Sequence, residues 1–308
     1  MTFPHCGAAW SHELRSAELA NRLWMAALAT RDVTHIGNPG RRSGDLLQRE
    51  SARRGRLIHY HGLPITPASA AYAAVRGGHA FVSFRHPDQL PIAVETCQSF
   101  ALDNGAYSLW RSGGPAGDWS DYISWVRSIR RIPGFDFAVI PDVIGGTEQE
   151  NDRLVDSWPL GPHDGAPVWH LHESIGRLVR LATYWPRLCL GSSGDFSVVG
   201  SKPWWNRMIE AMNAVCDDNG HPICKLHGLR MLDPAIFRHF PFASADSTNI
   251  GRNVGIDSKW KGTYTTQNKD LRALIMRDRI EAQQSATTWR RRSVQTELAG
   301  TECSELFT

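Results

Sequence analysis

Eight short apolar runs, each breaking into a polar or Gly-containing turn, constrain this chain more than any other feature. They are RLIHYHGLPI (56–65), HAFVSFRHP (79–87), QSFALDNGAY (98–107), FDFAVIPDV (135–143), PVWHLHES (167–174), RLCLGSSGDF (187–196), ICKLHGLRM (223–231) and FPFASADST (241–248). Segments with helical spacing of apolar residues separate most of them, at 66–77, 118–132, 173–185 and 202–218. Strands alternating with helices pair in parallel through right-handed crossovers. Eight such units predict an α/β fold, a single closed (β/α)8 TIM barrel, over the open doubly wound sheet that is the second choice. Neither GxGxxG nor GxxxxGK[ST] occurs, so no motif supports a nucleotide-binding sheet.

The barrel is placed at 56–264, which 308 residues accommodate as one large domain. Residues 1–55 form an N-terminal extension, with a helix-like stretch at 12–31 followed by a Gly- and Arg-rich loop. Residues 265–308 form a C-terminal extension, expected as one long amphipathic helix over 268–292 and a polar tail.

The net charge of +3 is mild, but Arg is dense at 40–56, 125–133 and 288–293. Such clusters suit a polyanion, and equally suit solvated loops and helix faces. Arg130 and Arg131 in the second cluster, and Arg252 past the eighth strand, are the candidate nucleic-acid contacts. The six Cys are scattered without a CxxC or CxC pair, which points away from a disulfide framework or a cysteine zinc site. His5, His12, Glu13 and Arg15 interrupt the N-terminal stretch, so neither a signal peptide nor a membrane span is expected, and a cytoplasmic location is.

Catalytic groups of such barrels gather where strands end, because that rim alone brings all eight turns around one pocket. Strand three ends in Asp103, Asn104 and Gly105, strand four in Asp142, and strand five in His170, His172 and Glu173. Strand six ends in Gly191, Ser192 and Ser193, strand seven in His227 and Gly228, and strand eight in Asp246. Asp103, Asp142 and Asp246 directly follow apolar runs, so their side chains should start inside the barrel mouth; helix capping is the plainer role for any one of them. Two carboxylates can divide a substitution at a sugar carbon, one attacking the anomeric carbon and the other moving protons at the leaving group.

His59 and His61 on strand one, the strand-five histidines and Asp246 partly imitate a metal-dependent amidohydrolase. Two departures count against that layout: strand six has no His and strand four no Lys to bridge metals. No metal or other cofactor is expected, and His59 and His61 then read as buried, hydrogen-bonded groups near the barrel floor. The GSSG turn (191–194) offers backbone groups to a flat ligand, and Trp204 with Trp205 reads as packing or as a stacking surface for a displaced base.

With these residues in view, the chain resembles the tRNA-guanine transglycosylase superfamily, most closely its DNA-modifying, DpdA-type branch. The resemblance spans about 57–255 and rests on ALDNGAY, VIPDV, VWHLH, LGSSG, KLHGL and SADSTN in that order. It implies Asp103 as general acid/base, Asp142 as reader of the guanine-like edge, Gly191 and Ser192 as backbone donors to the base, and Asp246 as nucleophile. Asn104, Gly105, His170, His172, His227 and Gly228 complete the expected substrate-binding set. The implied reaction exchanges guanine for a 7-deazaguanine, first of all 7-cyano-7-deazaguanine, in a nucleotide flipped from its helix or lying in a single strand. The tRNA branch carries a zinc site of three Cys and a His; after Asp246 this sequence has only Cys303 and no His, which favours DNA as acceptor. An accessory protein that opens the duplex is a further expected partner. A tRNA-modifying enzyme, a nucleic-acid glycosidase or metal-dependent hydrolase, and a non-catalytic nucleic-acid-binding barrel remain as alternatives.

Overall fold

The computed structural model describes residues 56–113, 118–256 and 267–292. The chain divides into Met1–Arg49 and Glu50–Thr308, and every described residue belongs to the second unit. The N-terminal helix and Arg-rich loop expected at 1–55, and the polar tail from 293, lie outside the described residues.

The strands are β1 (Ile58–Leu63), β2 (His79–Ser83), β3 (Ser99–Asp103), β4 (Phe135–Val139), β5 (Gly165–Ala166), β6 (Val168–His170), β7 (Arg187–Gly191), β8 (Lys225–Gly228) and β9 (Ser244–Ser247). Helices α1 (Ala68–Val75), α2 (Leu90–Thr96), α3 (Ala106–Arg111), α4 (Ser120–Ile129) and α5 (Glu148–Asp156) come from the first half. Helices α6 (Ile175–Tyr184), α7 (Lys202–Val215), α8 (Pro234–Phe237), α9 (Asn249–Asn253) and α10 (Lys269–Glu281) come from the second. Polar side chains start several of them: Thr147 and Glu150 form a reciprocal capping box on α5, and the hydroxyls of Ser174 and Ser201 cap α6 and α7.

All nine strands are parallel, in the order β5-β4-β3-β2-β1-β9-β8-β7-β6. The two outer members are one extended segment divided at Pro167, which has no N–H to give a ladder. On one side Ala138 N–H donates to Asp164 O and Ile140 N–H to Ala166 O, both at 2.9 Å. On the other, Cys189 N–H donates to Pro167 O and Leu171 N–H to Gly191 O, again at 2.9 Å. This segment joins β4 to β7, so the nine strands act as eight staves of a nearly closed, TIM-like barrel with helices between them.

Side chains alternate across each strand. Tyr60, Phe81, Ala101, Phe137, Val139, Val168 and Cys189 point into the barrel and form one buried cluster. Their neighbours Trp169, Leu188, Leu190, Leu226 and Ala245 point outward and pack with α6 and α7 residues such as Leu178, Leu181, Met208 and Met212. The same parity carries Asp103, two residues after Ala101, and His170, two after Val168, into the barrel mouth.

Near the barrel floor the Arg187 guanidinium makes a two-point pair with Asp136 at 2.7 and 2.9 Å, and the Tyr60 hydroxyl donates to Asp136 at 2.6 Å. Arg187 also lies 4.0 Å over the Phe137 ring. Removing one member leaves the other charge buried and unpaired, so Asp136→Ala is expected to cost about 3 kcal/mol in a denaturant titration at pH 7. A loss below about 0.5 kcal/mol would match an exposed pair and contradict this placement.

Because Tyr60 faces inward, His59 and His61 face outward, which corrects their expected place at the barrel floor. His61 Nε2 lies 2.9 Å from Glu281 Oε1, and His59 Nε2 lies 2.9 Å from Gln283 O. Burial pushes the His59 imidazole down to about 4. Both rings therefore tie β1 to the C-terminal segment, away from the barrel interior.

That segment also differs from the single helix expected over 268–292. Helix α10 lies against α1, with the Ser69 hydroxyl donating to Asp270 at 2.8 Å, and it stops at Glu281. Beyond it the chain runs irregularly along the barrel: Ala286 N–H donates to Phe240 O, Trp289 N–H to Gly220 O, and the Trp289 indole to Asn213. These bonds to the barrel replace the helical ones, and tertiary context overrides the amphipathic pattern. Among the described residues no helix is long and apolar enough to cross a membrane.

Candidate functional site

The C-terminal ends of the strands enclose a cavity of ≈ 250 Å³. It is below the usual range of about 300–1,000 Å³ for drug-sized ligands and so suits one flat, base-sized group. Asp103, Asn104, Asp142, His170, Gly191, Ser192 and Asp246 all line it, as does Arg252 at the rim.

Asp103 ends β3. Burial first, then the negative charge of Asp246, push its carboxyl up to about 7, against hydrogen bonds from Gly105 and Ser83 that act the other way. It is therefore an acid poised to hold or release a proton near neutrality. The next residue, Asn104, accepts from Ala106 N–H at 2.8 Å, starting α3, and gives its amide to Asp142 Oδ1 at 2.8 Å and Ile140 O at 2.9 Å. Gly105 takes φ 78°, and a Cβ there would come 2.7 Å from the Arg85 side chain, so this turn needs glycine.

Asp142 leaves β4 buried, held by Asn104 on one oxygen. His170 Nε2 approaches its other oxygen to 3.0 Å, yet neither His170 ring nitrogen makes a hydrogen bond. A buried imidazole without partners costs free energy unless something satisfies it, so His170 and Asp142 together present an unfilled donor and acceptor edge to a ligand. Gly191 lies beside them, where a Cβ would press to 3.2 Å from His170 Nδ1.

Asp246 stands opposite on β9. Its Oδ1 accepts from Arg230 N–H at 2.9 Å and lies 3.3 Å from His227 Nε2, while Oδ2 makes no hydrogen bond among the described residues. One oxygen is anchored and the other is open, so the carboxylate can present a free oxygen to a ligand in the cavity. Arg230 achieves this with φ 60°, a left-handed backbone that costs a non-glycine residue about 1–2 kcal/mol. Strain of this kind persists where surrounding contacts over-determine it, and here it aims a backbone donor at Asp246.

Several expected site residues do not line the cavity. His227 sits within the barrel, where Ser244 Oγ lies 2.8 Å from Nδ1 and Phe81 packs beside the ring; burial lowers its pKa. It supports Asp246 from behind. His172 is bound at both nitrogens, to Ser193 Oγ and Gly146 O, and joins two loops. Gly228 leaves no space because a Cβ would meet Met231 and Phe242 at 2.9 Å. Gly105 shapes its turn without facing the cavity. The Ser192 hydroxyl accepts from the Trp204 indole, which is buried, and Trp205 stacks on Phe240, so this Trp pair packs the core.

Arg130 and Arg131 are placed on the opposite rim, since they follow α4 and precede β4, and Arg130 pairs with Asp164. Their connection runs from helix to strand, so it faces the other end of the barrel. Conversely, Tyr107, His86, Arg111 and Arg230 line the cavity unforeseen. Tyr107 stands inside the ALDNGAY stretch and Arg230 directly follows KLHGL, so adjacency to strand ends was the available signal.

Among the described residues no group of three or more His, Cys, Asp or Glu side chains is placed to hold a metal ion. Compared with protein-family models and with curated proteins, the chain matches none of either.

Proposed function

We propose that this chain is a DNA-guanine transglycosylase, exchanging a guanine for a 7-deazaguanine through a covalent Asp246–nucleotide intermediate. The observation that carries the reading is the pairing, in one base-sized cavity, of a neutral-range acid, Asp103, with a carboxylate anchored through a single oxygen, Asp246.

Asp246 Oδ2 attacks C1′ of the target nucleotide as the bond from C1′ to guanine N9 breaks, and guanine leaves with the proton that Asp103 supplies. The incoming 7-deazaguanine gives its N9 proton to Asp103 and displaces Asp246 from C1′. Two inversions retain the configuration. Asp142, oriented by Asn104, accepts from the amino and imino edge of the base, and His170 beside it offers ring nitrogens that no group among the described residues hydrogen-bonds. The target must leave its stack to enter so small a cavity.

DNA is taken as acceptor from the resemblance of residues 57–255 to the DNA-modifying branch. The test incubates the protein with 7-cyano-7-deazaguanine and guanine-containing single-stranded DNA, duplex DNA or tRNA, and identifies the nucleosides by mass spectrometry. Deazaguanosine in DNA alone is the expected result. Modification of tRNA alone would overturn the acceptor while sparing the mechanism, and release of free guanine without exchange would favour a glycosidase.

A further inference from the structure

Trp110 is the one exposed tryptophan among the described residues, at 54 %. It sits on α3 with its ring centroid 5.9 Å from Tyr107, which lines the cavity and carries the Arg230 guanidinium 4.0 Å over its ring. Core packing does not account for a large apolar ring left in water at the mouth of a site. The rim around it is cationic. Arg111, Arg230 and Arg252 line the cavity with no carboxylate partner among the described residues, whereas the three carboxylates lie deeper. A ligand matching this layout has hydrogen-bond donors at its inserted end and negative charge outside.

Resting on the nucleic-acid acceptor argued above, we infer that Trp110 is a stacking subsite for the nucleobase adjacent to the target guanine. Any base offers a π-face to the indole, while the neighbouring phosphates meet the rim arginines. In a duplex that face is covered by the next base pair. The subsite therefore selects an acceptor whose neighbouring base is unstacked as well as the target.

The test is fluorescence anisotropy of a labelled single-stranded oligonucleotide holding one guanine, with the full chain and its Trp110→Ala and Trp110→Phe variants. The oligonucleotide is also made with an abasic residue on the 5′ or the 3′ side of that guanine. Trp110→Ala is expected to weaken binding about 10- to 100-fold, and Trp110→Phe to recover most of the loss. An abasic residue on one side should weaken the parent protein similarly and erase its advantage over the Ala variant. A merely structural role would leave that advantage in place.

Equal binding by the parent and Trp110→Ala proteins, a difference that survives both abasic substitutions, or no oligonucleotide binding by the parent would overturn the inference. Trp110-dependent binding without base exchange would refute the transglycosylase reading and uphold the subsite. Base exchange without Trp110 dependence would do the reverse.

Discussion

Replacing Asp246 with Asn is expected to abolish base exchange, by a factor of about 10⁴ or more in kcat, and to remove the covalent protein–DNA species that denaturing electrophoresis would detect in the parent protein. The substitution is nearly isosteric. An Asn carbonyl in the place of Oδ1 still accepts the Arg230 N–H, so the left-handed turn keeps its anchor and the melting temperature should hardly move. What disappears is the open anionic oxygen proposed to attack C1′. A second consequence is electrostatic: the Asp246 charge helps hold Asp103 protonated, so its loss lowers the Asp103 titration point, which carboxyl-carbon NMR would follow. Retained exchange in a folded Asp246→Asn protein would remove Asp246 from the chemistry altogether.

Asp103→Asn is expected to separate activity from stability. Loss of the mobile proton should lower exchange about 10²- to 10⁴-fold. In the parent protein, formation of the covalent species should fall as pH rises through about 7, because in the proposed mechanism guanine departure draws on the protonated carboxyl. Stability follows the same group. Asp103 titrates at about 7 when folded against 3.8 as a free side chain, so the folded state binds the proton more tightly. The stabilisation it contributes is complete below pH 4 and is lost as pH climbs through about 7. An Asn carries no such charge, and its carbonyl still accepts from Gly105 and Ser83. At pH 8 the variant should therefore be more stable than the parent by about 2–4 kcal/mol, with the gap closing towards pH 4. Denaturant titrations at pH 4 and pH 8 measure it; a pH-independent gap would place the Asp103 carboxyl in water.

Much of the site was legible because two rules coincide. A period of two fixes which face each strand residue occupies, and parallel barrels gather their strand ends on one rim. Asp103, His170 and Asp246 satisfy both and meet in the cavity, whereas Asp142, three residues past the inward-facing Val139, reaches it from the turn after β4. His59 and His61 shared a strand with Tyr60 but not its parity, and only the observation that Tyr60 joins the inner cluster puts both histidines outside. Arg130 and Arg131 belong to a basic run as dense as any, yet a short shift along the chain decides whether a connection leaves a strand or enters one. They enter β4, so their charge lies at the far rim. His172, His227 and Gly228 do stand near strand ends, but their space is filled by Ser193, Ser244 and Met231.

The alternation of strand and helix, the parity of Asp103 and Asp246, and the polar turn after every strand are properties of neighbours along the chain, and sequence alone determined them. Barrel closure through Pro167, the proton affinity of Asp103, the single free oxygen of Asp246 and the placement of Arg230 over Tyr107 depend on residues far apart in sequence. Tertiary structure decided these, because burial, charge proximity and hydrogen-bond partnership are set by distances in space that local periodicity does not encode.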